Sequence, residues 1–402
     1  MTPLRLLFAG AAIALLGACS SSPSSVLPPV ALTPIADPLL VSLRWKSSAL
    51  DGVGENYLKL PPLIHAGVGY VADYSGDVRA FDPVTGQKIW QRNLAVPLEA
   101  GPSLAQNLLL FGTSRGEVIA LEPATGKQVW RAQVSSEVLA PPQGDANIII
   151  VRSVDGRIHA LQASNGKQLW VYDRSVPLLT LRGISTPVIS NGIVIVGSDS
   201  GKLAALTLQD GTVLWETQIA VPHGRNELER MVDIDVDPIV SDGVIYVVTY
   251  QGRLATVQLD SGRILWVRDI SSYSGMALDA YRVYLTDSES QVWALNRFNG
   301  STLWRQDKLL RRAVTGPVLL GSHLVVADYH GYVHWLNRED GKIVARKSLH
   351  ELDELFSEAN IAADDKMFPK DKNVLVAPVA DKNMVIVYDR KGNMAAYQLQ
   401  KD

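Results

Sequence analysis

A 15-residue motif that begins at Gly76 and ends at Trp90 recurs along the whole chain. It reads Gly76-Asp-Val-Arg-Ala-Phe-Asp-Pro-Val-Thr-Gly-Gln-Lys-Ile-Trp90, and Gly116-Glu-Val-Ile-Ala-Leu-Glu-Pro-Ala-Thr-Gly-Lys-Gln-Val-Trp130 follows it. Further copies run from Gly156 to Trp170, Gly201 to Trp215, Gly252 to Trp266 and Ser290 to Trp304. A seventh starts at Gly331 with Ala345 in the tryptophan's place, and an eighth starts at Gly392 and is cut short at Asp402. Each copy encodes a turn glycine, an alternating strand, a Thr-Gly or Asp-Gly type turn that needs positive φ, and a second strand. Two more strand signals precede each copy, such as Thr186-Pro-Val-Ile189 and Ile193-Val-Ile-Val196. Four antiparallel strands per unit of about 40 residues is the period of a propeller blade.

The expected fold is therefore all-β, an eight-bladed β-propeller of four-stranded antiparallel blades. The eighth copy lacks its last strand. Leu39-Leu-Val-Ser-Leu-Arg-Trp45 has the missing pattern, with Trp45 in the repeat tryptophan's role. Closure of the ring by this N-terminal strand would leave no open sheet edge at the seam. Start-to-start spacings of 40, 40, 45, 51, 38, 41 and 61 residues mark two insertions. One lies between Trp215 and Asp237, the other between about Leu349 and Asn373. In the second, Leu349, Leu352, Leu355 and Phe356 have helical spacing, which predicts a short helix.

The first residues are of another kind. Arg5 precedes an apolar run from Leu6 to Leu16, and Gly17 and Ala18 lead to Cys19. This is an export signal, outside the fold. Leu16-Gly17-Ala18-Cys19 resembles the lipobox of bacterial lipoproteins, which implies cleavage before Cys19 and lipidation on it. Cys19 is the only cysteine, so no disulfide competes for it. Ser20 after it implies delivery to the outer membrane. The polar, proline-rich stretch up to residue 37 reads as a tether. The expected division is a signal peptide at 1–18, a lipidated cysteine and flexible tether at 19–37, and the propeller at 38–402.

Catalytic and metal motifs are sparse. There is no P-loop and no His-Glu-x-x-His motif. Gly67-Val-Gly69 sits in a strand signal and opens no helix, so it does not read as a dinucleotide site. Asp233, Asp235 and Asp237 alternate on one face of an extended segment, but Pro238 stands where a calcium loop needs glycine. His330 and His334 read as ordinary surface residues, and no metal site or cofactor is expected. A formal charge of −3 without basic runs argues against nucleic acid.

The repeat resembles that of quinoprotein propellers, which raises the alternative of a pyrroloquinoline quinone dehydrogenase. The adjacent cysteine pair common in those enzymes is absent. A general peptide- or sugar-binding propeller is a second alternative. The lipobox, tether and eight repeats together are similar to the BamB family, lipoprotein propellers of the outer-membrane β-barrel assembly (BAM) machinery. The most specific stretches are Leu178-Leu-Thr-Leu-Arg-Gly183, Arg230-Met-Val-Asp-Ile-Asp235 and Gly331-Tyr-Val-His-Trp-Leu-Asn337. The resemblance implies a non-catalytic periplasmic scaffold, anchored to outer-membrane lipid, that binds the POTRA region of BamA. It implies partner contacts at Leu179, Leu181, Arg182, Asp233 and Asp235. Pairing of unfolded β-barrel substrates with blade edges is a weaker expectation. The 349–373 insertion departs from the family pattern.

The residues carry a reading of their own beside this. Segments 178–183 and 216–236 both connect the last strand of one blade to the first of the next, so they emerge on one face as neighbours. An apolar pair flanked by charge has the composition of a protein-binding patch. Internal ion pairing of Arg182 with Asp233 or Asp235 is the competing role.

Overall fold

The computed structural model describes residues 27–400 except 37, 55, 57, 59, 174–184, 224, 227–228 and 350–372. Its strands form eight four-stranded antiparallel sheets, one per repeat, with no helix among the described residues. Blade 1 comprises Leu63–His65, Val68–Ala72, Asp77–Phe81 and Lys88–Asn93, innermost to outermost. Blades 2 to 7 repeat that order. Blade 8 comprises Val379–Asp381, Met384–Tyr388 and Asn393–Leu399, with Val41–Ser48 as its outer strand. The eight innermost strands lie around the axis, and that of blade 8 touches that of blade 1, so the ring is closed. The helix expected in the 349–373 insertion lies outside the described residues.

The antiparallel order gives the ring two faces. One carries the connections from outer strand to next inner strand, together with the hairpins between second and third strands; we call it the interblade face. The other carries the remaining turns and is the turn face. The closing strand obeys the rule of the other outer strands. In each, the residue before the tryptophan position is bulged out of register: Arg44 in Val41–Ser48, as Leu169 and Leu303 are elsewhere. The bulge pairs the tryptophan with a small residue on the third strand, such as Trp45 with Ala396 and Trp90 with Ala80.

Seven tryptophans bolt neighbouring blades together. Each indole N–H donates to a carbonyl in the next blade's turn, from Trp45 to Pro83 O through Trp304 to Arg338 O, at 2.7–3.2 Å. Each ring lies against the glycine of that turn. A Cβ on Gly86, Gly126 or Gly341 would come within 2.5–2.7 Å of the indole, and all three have positive φ. The repeat's tryptophan and glycine are thus two halves of one contact between different blades.

Blade 7 explains its own exception. Blade 8 has no turn between third and outer strand, because the chain's two ends meet there. A tryptophan at 345 would have nothing to dock on. The pair is exchanged instead: Ala345 faces Trp335, which is fully buried and packs edge-on against Tyr397 of blade 8. Where the bolt is complete, its removal is costly. Trp90 is 8% exposed, so Trp90→Ala should lower stability by about 3–5 kcal/mol. Trp90→Phe should cost less, since it keeps ring packing and loses the bond to Pro123 O. Chemical denaturation of both variants checks the order.

A second repeated contact shapes the interblade face. The residue at or just past the end of the second strand is Asp, Thr or Ser, and its side chain accepts the backbone N–H four residues on. Asp73, Thr113, Ser198, Thr249, Asp287, Asp328 and Asp389 all do this, at 2.8–3.1 Å. The signature is Asp/Ser/Thr-x-x-Gly, with Ser290 in the glycine's place in blade 6, and it is legible in the sequence but not singled out there.

Candidate functional site

Segment 178–183 lies outside the described residues, but the connections from blade 3 to 4 and from blade 4 to 5 touch at their ends. The Thr186 N–H donates to Asp237 Oδ1 at 2.6 Å across 51 positions of chain. Beneath them Arg152, from the second strand of blade 3, bridges to blade 4. Its guanidinium lies 2.5 Å from Asp199 Oδ1 and also donates to Ser185 Oγ at 3.2 Å. Both charged side chains are buried, a geometry that makes loss of either partner expensive. The blade 4 to 5 connection is tied to hairpins on both sides: Ile234 N donates to Ser198 O, and Asp233 O accepts from Tyr250 N at 2.9 Å. Gly197 makes room for this, since a Cβ there would stand 2.5 Å from Ile234 Cγ2 and 2.9 Å from Ser185 Oγ.

The site residues divide. Leu179, Leu181 and Arg182 lie outside the described residues, as does Cys19. Asp233 is fully buried and Asp235 is 7% exposed. Expected as exposed charges, both are instead buried within the blade 4 to 5 connection. The three-carboxylate face expected at 233–237 is also broken. Residues 231–236 are all buried and only Asp237 is exposed, because this stretch is tied down by loop contacts and does not alternate like a strand.

The exposed part of the connection comes earlier. Val221 is 61% exposed. Arg225, Asn226, Glu229 and Arg230 follow it on the surface. The Glu229 carboxylate accepts from Arg225 N and Asn226 Nδ2, which folds this tip back on itself. The length of the insertion after Trp215 was the only sequence signal for it.

Towards the axis, His65, Ser103, Gln143, Thr186 and Asp237 line an open cavity of about 330 Å³. Among the described residues no three of His, Cys, Asp and Glu are grouped to hold a metal. His334 corrects the surface expectation: it is fully buried, with Nε2 3.1 Å from Asp328 Oδ2. His330 is half-buried on the adjoining hairpin.

Comparison with known proteins places this arrangement. A family model described as outer membrane protein assembly factor BamB matches residues 74–306 and 295–402. The outer membrane protein assembly factor BamB of Pseudomonas aeruginosa is 46% identical over 336 residues, 84% of this chain and 88% of the relative. That of Escherichia coli K12 is 33% identical over 373 residues, 90% and 95% of the two chains. Among solved structures, BamB from Moraxella catarrhalis superposes with a TM-score of 0.76 at 26% identity, covering 89% of this chain and all of that one. The quinohemoprotein alcohol dehydrogenase of Comamonas testosteroni, at TM-score 0.64 and 13% identity over 90% and 77%, shares the fold alone.

Proposed function

The chain belongs to the BamB family of outer-membrane protein assembly factors, and from that premise we propose that it acts by binding, without chemistry of its own. In this reading the ring is a periplasmic scaffold of the BAM complex, held to the outer membrane by lipid on Cys19. It docks on the POTRA region of BamA through the connections between blades 3 and 4 and blades 4 and 5. The observation that carries the reading is the Thr186–Asp237 bond, which makes one surface of two segments distant in sequence. Leu179, Leu181 and Arg182 are the proposed contact residues, and exposed Val221, Arg225, Asn226, Glu229 and Arg230 are proposed to join them in the surface. Asp233 and Asp235 act from below, as positioning residues for the connection that carries that tip. Buried beneath a contact surface, they hold its shape while the exposed residues meet the partner.

Titration of the BamA periplasmic region tests this. A Leu179→Ala, Leu181→Ala, Arg182→Ala triple variant should bind on the order of 30-fold more weakly or worse, equivalent to losing at least one hot spot of about 2 kcal/mol. Unchanged affinity in a folded triple variant would refute the assignment. Metabolic labelling with a fatty-acid analogue addresses the anchor: the wild type should take the label and Cys19→Ser should not.

A further inference from the structure

Residues 28–36, expected to belong to a free tether, are instead held against the ring. Arg311 Nε donates to Pro28 O at 2.7 Å, Val30 N donates to Leu310 O, and Arg312 Nη1 donates to Val30 O at 3.1 Å. Leu32 is 5% exposed and packs with Leu309, Val314 and Tyr332. Arg346 Nη1 then donates to Thr33 O at 3.1 Å, and Leu39 N to Val344 O at 2.8 Å. Arg312 is itself fixed by Asp328, 2.7 Å away, with both side chains buried.

The direction of this path matters. Val41 pairs with Leu399 at the turn-face end of blade 8, so a free tether would leave the ring on that face. The segment from Leu39 back to Pro28 instead climbs the outer strand Ile343–Ser348 of blade 7. It ends over the blade 6 to 7 connection, where Arg311 N is bonded to Glu289 O of a blade 6 hairpin. That point is on the interblade face, as are the connections proposed to bind the partner.

We propose that residues 28–39 form an orienting strap, which moves the exit of the N-terminal chain from the turn face to the interblade face and fixes it there. With the lipid on Cys19 proposed above, on which this consequence rests, the strap leaves nine residues, 19–27, to reach the membrane. Nine residues span at most about 30 Å, whereas the 22 residues from 19 to 40 would allow about 75 Å. The interblade face is thereby kept towards the bilayer and within short reach of it. Backbone carbonyls receive the three arginines, so the strap depends on its path and on Leu32 more than on other side chains.

Distance measurement between spin labels tests the strap without any lipid, in full-length Cys19→Ser protein. One label goes on Leu27→Cys. The other goes on Glu289→Cys, on the interblade face of blade 6, or on Asn299→Cys, on its turn face. A narrow distribution, shorter to 289 than to 299, is expected. Broad distributions that do not distinguish the two sites, or a shorter distance to 299, would overturn the proposal. Leu32→Asp with Arg346→Ala should broaden both distributions. Arg311→Ala, at a half-buried position, repeats the test should that pair disturb folding, and narrow distributions persisting in a folded variant would count against the strap. Failure of this measurement is distinct from failure of fatty-acid labelling, which reads the anchor alone. On vesicles, the lipidated wild type should have a fluorophore at 289 quenched more by bilayer quenchers than one at 299, and the strap variants should lose that difference.

Discussion

Deletion of residues 38–48 is expected to prevent the protein from reaching its native state. Val41–Ser48 pairs along its length with Asn393–Leu399, and its Trp45 bolts blade 8 to the turn of blade 1 through Pro83 O and Gly86. Each ladder hydrogen bond contributes about 1 kcal/mol net. Several such bonds, together with the buried apolar surface of Val41 and Trp45, approach the net stability of an ordinary domain, about 5–15 kcal/mol. The deletion also turns Asn393–Leu399 into an open edge that invites intermolecular pairing. Size exclusion should show aggregate or no soluble protein. A monomer with wild-type thermal stability would contradict the role given to this strand. Rescue sharpens the test. Gln400 N already donates to Leu40 O at 3.0 Å, so residues 38–48 placed after position 400 on a short turn should restore folding.

Replacing Asp328 is expected to have the next largest effect. Its carboxylate accepts from Tyr332 N in the blade 7 hairpin, pairs with buried Arg312 and lies against buried His334. Asp328→Ala leaves the Arg312 guanidinium without this partner in a buried site, a change that costs about 3–5 kcal/mol. It should also loosen Arg312 and with it the Val30 end of the strap. Denaturant titration reads the first effect, and hydrogen exchange at Val30 the second. The cluster also predicts a pH dependence. Burial would push the Asp328 carboxyl up, but Arg312 and His334 outweigh it and hold it well below the usual range. Burial pushes His334 below its ordinary 6.5. Both shifts have the same sign. The unfolded chain takes up protons that the folded one refuses, so stability is full above about pH 6.5 and falls as the solution is acidified. Asp279 adds to the loss at lower pH: despite its burial, bonds from Tyr281, Arg338, Tyr284 and Arg282 bring it to about 2. Asp328→Asn should flatten the acid limb. A profile unchanged by that substitution would contradict this account.

The ring was legible because its code is periodic. Seven of the eight copies begin with a turn glycine and six carry the strand tryptophan, and the N-terminal strand carries the same tryptophan at Trp45. What could not be read was which blade a tryptophan touches, since its partner glycine lies in the next copy. The exchange of Trp335 and Ala345 was equally hidden: it answers a missing turn in blade 8. The buried His334 looked like a surface residue because a third strand is covered on both faces, so alternation says nothing about it. The strap was missed for a different reason. Pro28 to Leu39 is proline-rich and follows a serine-rich run, so it passes for a tether, and the arginines that hold it bind its carbonyls, which sequence does not distinguish. At the candidate site, neighbouring connections followed from blade topology alone. The burial of Asp233 and Asp235 did not, because a connection tied to hairpins on both sides has no period to read.

BamA is proposed to dock on the interblade face around blades 3 to 5. Site-specific photo-crosslinking to the BamA periplasmic region tests it most directly, with the probe at Val221 on that surface or at Thr85 on the turn face of blade 1. Both positions are exposed. A crosslink from 221 and none from 85 is the predicted result. Equal crosslinking from both, or crosslinking from 85 alone, would contradict it.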